Sequence, residues 1–190
     1  NTSRPMMTEI SLNILDVAEN STRAGASLVS ITVSADTKAD RLTVVIEDDG
    51  CGMTEEQLAR VTDPFFTTRT TRKVGLGVPF FKEAAELTGG SFAIQSEPGK
   101  GTMVTAVFVL SSIDRMPLGD ISATIHNLVV YHPGTDFCYT YEYDGKSFTL
   151  DTRQFREILG DIPFDAPEVS TYIMHYLPEN KLETDGGASL

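Results

Sequence analysis

At 190 residues the chain suits one domain, or one domain with a small appendage. With 41% hydrophobic and 22% charged residues it can build a core, and its net charge of -12 argues against a general nucleic-acid or anionic-membrane surface. No apolar run approaches the ~20 residues needed to cross a bilayer. Two cysteines, Cys51 and Cys138, form no disulfide framework, so a soluble protein of the reducing cytoplasm is expected.

In chain order, residues 8–24 carry helical spacing, with Ile10, Ile14, Val17 and Ala24 on one stripe, a weak N-cap signal at Thr8 and a C-cap at Gly25. Val29, Ile31 and Val33 alternate with polar residues and predict a strand; Leu42, Val44 and Ile46 predict a second. Thr54 opens a short helix with Glu55 and Glu56 in its first turn. Residues 63–77 have no clean period. A helix over 78–87 ends at Gly89-Gly90, and strands over 91–97 and 102–110 flank the turn Pro98-Gly99-Lys100-Gly101. After a connection at 111–117 come a helix over 119–131, strands over 137–143 and 147–150 around Asp144-Gly145, and helices over 152–159 and 167–182. Residues 118–185 are expected to form a small α+β interaction domain, with a disordered tail from Thr184. Phe137, Tyr139, Tyr141 and Tyr143 share one strand face, which reads as packing on that segment's own helices.

Four features carry chemistry. Asn13, Asp16, Asn20 and Arg23, spaced three, four and three, form a polar stripe on the first helix. Its oxygens suit hydrated magnesium, and a solvated face is the plain alternative. In Asp48-Asp49-Gly50-Cys51-Gly52, strand alternation continues the inward row to Asp48 and turns Asp49 outward. An inward carboxylate needs a partner, and the amino group of a planar base would supply one; an exposed Asp-Gly loop is the alternative. Between Pro64 and Lys82 lie Arg69, Arg72, Lys73 and Lys82 with no acid, and Gly75-Leu76-Gly77 precedes a helix, a pattern suited to phosphate. Gly99-Lys100-Gly101-Thr102 places a hydroxyl at a strand start.

Taken in order, these segments resemble the conserved boxes of the Bergerat (GHKL) ATPase superfamily, over roughly residues 8–110. Residues 16–26 (Asp-Val-Ala-Glu-Asn-Ser-Thr-Arg-Ala-Gly-Ala) resemble its N box. Asp48-Asp49-Gly50-Cys51-Gly52 is similar to the G1 box, Asp63-Pro64-Phe65-Phe66-Thr67-Thr68 to the F box, Val74-Gly75-Leu76-Gly77 to the G2 box, and Gly99-Lys100-Gly101-Thr102 to the last. The resemblance implies an α+β sandwich, with ATP between helices and a mixed sheet. It implies that Asn20 coordinates Mg2+, Arg23 contacts phosphate and Asp48 accepts the adenine N6 hydrogen bond. It also implies that Gly50, Gly52, Gly75 and Gly77 let the backbone pass the nucleotide, and that Thr102 joins the adenine-side network. Arg69, Arg72, Lys73 and Leu76 fall in the lid. Asp16 falls at the water-activating or phosphotransfer-assisting position, where hydrolysing members usually carry Glu, one methylene longer.

The lid wording is closest to that of histidine kinases in signal transduction. Only about eight residues precede the helix that carries the N box, and His126, His132 and His175 all lie downstream, none in a phosphoacceptor setting. A stand-alone ATPase or protein kinase acting on a separate partner is therefore expected, with a nucleotide-gated binding module as the alternative. The expected ligands are ATP or ADP with Mg2+. A protein partner would bind through the lid or the C-terminal segment, and neither nucleic acid nor membrane is expected.

Overall fold

The computed structural model describes residues 8–63 and 77–190. It places α1 at Ile10–Arg23, β1 at Leu28–Asp36, β2 at Arg41–Asp48, α2 at Glu55–Val61, α3 at Gly77–Leu87, β3 at Ser91–Glu97 and β4 at Gly101–Val109. It continues with α4 at Ile121–Tyr131, β5 at Asp136–Tyr143, β6 at Lys146–Asp151, α5 at Thr152–Leu159 and α6 at Pro167–Asp185. The expected α+β architecture is present. The six strands form one mixed sheet in the order β3-β4-β2-β1-β5-β6, in which only β1 and β5 run parallel.

Each strand buries alternate residues toward the helices, as the period of two demands. Val29, Ile31 and Val33 of β1, Leu42, Val44 and Ile46 of β2, and Val104, Ala106 and Phe108 of β4 are all sealed from solvent. They meet Ile10, Ile14 and Val17, the apolar stripe of α1. Helix α3 lies beside α1 over β3 and β4, while α6 covers β5 and β6. Among the described residues, no helix is long and apolar enough to cross a membrane.

The helix–hairpin–helix–helix pattern expected for residues 118–185 is present, but the segment is not a separate unit. Strand β5 pairs in parallel with β1 along its whole length, from Leu28 opposite Asp136 to Ala35 opposite Tyr143. Phe137, Tyr139 and Tyr141 face the helices and are buried in the same core, as the packed-face reading expected. The physical reason is the edge of β1: unpaired, it would leave a row of backbone donors and acceptors open in the middle of the molecule.

Two end effects also differ from expectation. Thr8 does not cap α1. The cap position is Glu9, without a side-chain cap, and the free amides of Ile10 and Ser11 donate to the carbonyls of Pro117 and Leu118 at 3.0 and 2.9 Å. The chain end is ordered rather than loose. Helix α6 runs through Asp185, whose carboxylate accepts from the Tyr141 hydroxyl at 2.6 Å, Lys181 at 2.9 Å and the Gly187 amide at 2.9 Å. Beyond it, the Leu190 carbonyl accepts from the Leu118 amide and from Arg115.

Of the 31 buried hydrophobic residues among the described residues, 13 lie between Leu118 and Leu177, so removing this segment opens the core as well as the β1 edge. Deleting residues 118–190 is expected to abolish cooperative thermal unfolding. A single sharp calorimetric transition in the remaining fragment would show instead that residues 8–112 fold alone.

Candidate nucleotide-binding site

At the C-terminal end of α1 and the ends of β2 and β4, polar residues converge on one another. Asp48 ends the inward row of β2, as alternation predicts, and is only 9% exposed. Its carboxylate is held from two sides. The Ser21 hydroxyl of α1 donates to Oδ2 at 2.6 Å, and the Gly50 amide donates to Oδ1 at 2.8 Å. A carboxylate offers about four acceptor positions; these two donors leave capacity for an incoming amino group. Asp49 points the other way, as expected. It accepts from the Ser27 hydroxyl, the Leu28 amide and the Ser27 amide, closing the turn into β1, and these bonds, the Ser27 hydroxyl first, hold its carboxyl below the usual range.

Directly across the sheet from Asp48 stands Thr102 of β4. Its hydroxyl is 2.8 Å from that of Ser96, which accepts from the Met53 amide at 2.8 Å and bonds the Gly101 carbonyl at 2.9 Å. A short polar chain thus ties the loop after Gly52 to the β3–β4 turn. Gly52 serves this contact. Its φ is +68, and a Cβ there would sit 1.9 Å from the Glu97 carbonyl oxygen, so the glycine lets the loop press on β3.

Asp16 of α1 faces the start of α3. Gly77 packs so closely on Asp16 that a Cβ would lie 2.7 Å from the Asp16 Cβ. The helix whose amides open toward anions therefore begins beside Asp16. Burial pushes the Asp16 carboxyl above its ordinary value; Glu19 adds to the shift and Arg23 opposes it. Arg23 donates to the Asn20 carboxamide oxygen at 2.5 Å. A carboxamide oxygen has two lone pairs, so this acceptor keeps one for a further ligand. Asn13 departs from the expected hydrated stripe: it is fully buried, and its amide has no hydrogen-bond partner among the described residues.

The structure therefore brings Asp16, Asn20, Arg23 and Gly77 to one side, and Asp48, Gly50, Gly52 and Thr102 to the other. Arg69, Arg72, Lys73, Gly75 and Leu76 lie outside the described residues. Sequence reasoning missed Ser21 and Ser96. Ser21 had a signal: it continues the buried Ile14–Val17 row of α1, where a hydroxyl demands a partner. Ser96 is legible only from strand register, which places it opposite Thr102.

Residues 4–112 match the family described as "Histidine kinase-, DNA gyrase B-, and HSP90-like ATPase". The chain belongs to this family. It contains a histidine-kinase-like ATP-binding domain, the fold and chemistry that the ordered boxes implied. Relatives of this domain include a putative sensor protein of Shewanella frigidimarina, 33% identical over 53% of this chain and 16% of that protein. Sensor protein kinase FleS of Pseudomonas aeruginosa is 36% identical over 57% and 26%, and sporulation kinase E of Bacillus subtilis 34% identical over 50% and 12%. The match thus spans between 12% and 26% of the length of these relatives. A solved N-terminal domain of a DNA repair protein shares the fold, with a TM-score of 0.56 at 13% identity over 76% of this chain and 53% of that one.

Substitutions at two residues test this geometry. Ser21→Ala is expected to weaken ATP binding by about tenfold to a hundredfold, the consequence of taking one donor from a carboxylate (roughly 1.5–3 kcal/mol). Ser21→Thr should restore it, and calorimetric titration showing equal affinity in all three proteins would sink the role of Ser21. Asp16 titrates in the opposite sense to a paired acid. Its folded-state pKa is raised, so its ionised form costs stability at neutral pH, and the cost fades as pH falls through the raised value to the ordinary one. Asp16→Asn should therefore raise the melting temperature at pH ~7, with the gain shrinking toward about pH 4.

Proposed function

We propose that the chain binds Mg-ATP between α1, the start of α3 and the ends of β2 and β4, and acts as an ATPase or protein kinase on a separate partner. The observation that carries the reading is the buried Asp48 carboxylate, clamped by Ser21 and Gly50 with acceptor capacity to spare. Adenine presents an amino hydrogen to such an acceptor; guanine presents a carbonyl oxygen, which the same carboxylate repels. Thr102 and Ser96 border the base on the β4 side.

On the phosphate side, the Asn20 carboxamide oxygen would hold Mg2+, which would supply charge neutralisation to the polyphosphate. Arg23 turns from Asn20 to phosphate, and the α3 amides following Gly77 meet the same charge. Arg69, Arg72 and Lys73 add the cations that a protein of net charge -12 needs at this point. Asp16 orients the attacking oxygen, and its raised proton affinity suits it to receive a proton. Both cysteines are free, in keeping with a reducing, cytoplasmic setting.

A nucleotide-gated module without turnover is the second reading. It rests on Asp at position 16, where hydrolysis depends on reach and one methylene less separates the carboxylate from its water. Incubation with labelled ATP, scoring free phosphate and phosphoprotein for the native chain and Asp16→Ala, separates the two. Tight binding with neither product eliminates the enzyme. In calorimetric titrations, Asp48→Asn is expected to weaken ADP and ATP alike by tenfold or more. Asn20→Ala should remove mainly the Mg2+-dependent part, and unchanged affinity in Asp48→Asn would refute the site.

A further inference from the structure

Residues 113–190 lie beyond the family match, yet they supply two strands of the sheet and its outermost helices. Nine large hydrophobic residues are exposed among the described residues, and five of them, Ile158, Ile162, Tyr172, Met174 and Leu182, fall within 25 positions of this segment. Part of this apolar surface is continuous. The Phe155 ring of α5 lies 6.1 Å from Tyr172 and 5.9 Å from Tyr176 of α6, and those two tyrosines stack at 5.9 Å. Ile158, one turn beyond Phe155, is 84% exposed.

The charges around this face are mostly acidic, and Arg153 at the start of α5 is paired with Asp151 at 2.9 Å. Glu157, Asp161, Asp165, Glu168, Glu179 and Glu183 are exposed. The only two bases between residues 154 and 190 are held by the chain's own acids. Arg156 pairs with Asp136 at 2.7 Å and lies over the Phe164 ring, and Lys181 pairs with Asp185 at 2.9 Å and lies over the Tyr141 ring. Carboxylates therefore face outward around an aromatic and aliphatic centre.

The geometry points to this α5–α6 face as the docking site for a basic amphipathic helix of a separate protein. Aromatic and branched anchors at the centre supply the contact, and a rim of acids steers and orients a segment flanked by Lys and Arg. The rim also excludes other occupants. A nucleic acid or an anionic bilayer is repelled, and a second copy would set like charges against each other. The inference is independent of the nucleotide site, whose residues lie on α1, α3, β2 and β4.

The test uses the full chain and two synthetic Leu/Lys peptides of identical composition, one patterned as an amphipathic helix and one scrambled. By fluorescence anisotropy, the patterned peptide is expected to bind about tenfold more tightly or better. Ile158→Asp and Tyr172→Asp should each erase that preference. The double charge reversal Glu157→Lys with Asp161→Lys should weaken binding to native-folded protein while ATP affinity stays unchanged. Equal affinity for the two peptides, or an unaltered preference in Ile158→Asp, would mean that charge alone acts and would overturn the proposal. So would a light-scattering mass showing that the native chain dimerises and Ile158→Asp does not. Loss of ATP affinity in the native chain would count against the nucleotide site and leave this result standing.

Discussion

One buried carboxylate sets the constraints on this fold. Asp48 sits at the end of a core-facing row, where an unsatisfied acid costs several kcal/mol. The chain meets that cost with a hydroxyl from α1 and an amide from its own loop. Ser21 can reach Asp48 only if α1 crosses the sheet with its Ile14–Val17–Ser21 row inward, which turns Asp16 toward the start of α3. The Gly50 amide reaches it only if the chain bends sharply after Asp49, and Asp49 fastens that bend to Ser27 and Leu28. The clamp on Asp48 and the placement of Asp16 beside Gly77 thus follow from the same helix orientation.

The sheet explains why the nucleotide-binding portion does not stop at the family boundary. β1 is a central strand because β5 covers its free edge, and the buried faces of both strands feed a single core. The helix layer repeats the connection. Thr124 of α4 bonds the Ser11 carbonyl of α1 at 3.4 Å, and His126 of α4 lies 2.9 Å from the Ser170 hydroxyl of α6. From α1 to α6 the helices form one hydrogen-bonded row, so the C-terminal segment holds α1, and with it Ser21, in place.

Features governed by local periodicity were legible in the sequence. The inward turn of Asp48 and the outward turn of Asp49 followed from a period of two. The apolar row of α1 followed from a period of 3.6, and the β3–β4 turn from Pro98-Gly99. Features that depend on distant pairing were not. Nothing near Thr8 reveals that Pro117 and Leu118 supply the acceptors for the first amides of α1. The buried Phe137–Tyr141 face said that β5 packs on helices; alternation does not name the strand beside it, and so the join to β1 stayed hidden. Asn13 misled for a related reason. Its spacing put it on the polar stripe with Asp16 and Asn20, but it lies where neighbouring helices close over α1, and burial there follows from tertiary packing.

The charge distribution separates two ends of one molecule. Four of the fifteen bases fall between Pro64 and Lys82 with no acid among them, in the sequence that leads into and through the first half of α3. Residues 154–190 carry seven acids against two bases, both of which are tied inward. Between β2, which carries Asp48, and the edge strand β6 lie β1 and β5, three inter-strand steps or ~14 Å. That separation exceeds the screening length of about 8 Å at physiological salt. A triphosphate bound as proposed beside Asp16 and the start of α3 is therefore screened from the acidic end. A basic segment docked as proposed on the α5–α6 face does not compete for the nucleotide's phosphates. A chain of net charge -12 can in this way hold an anion and a cationic partner at once, because rigid strands keep the two fields apart.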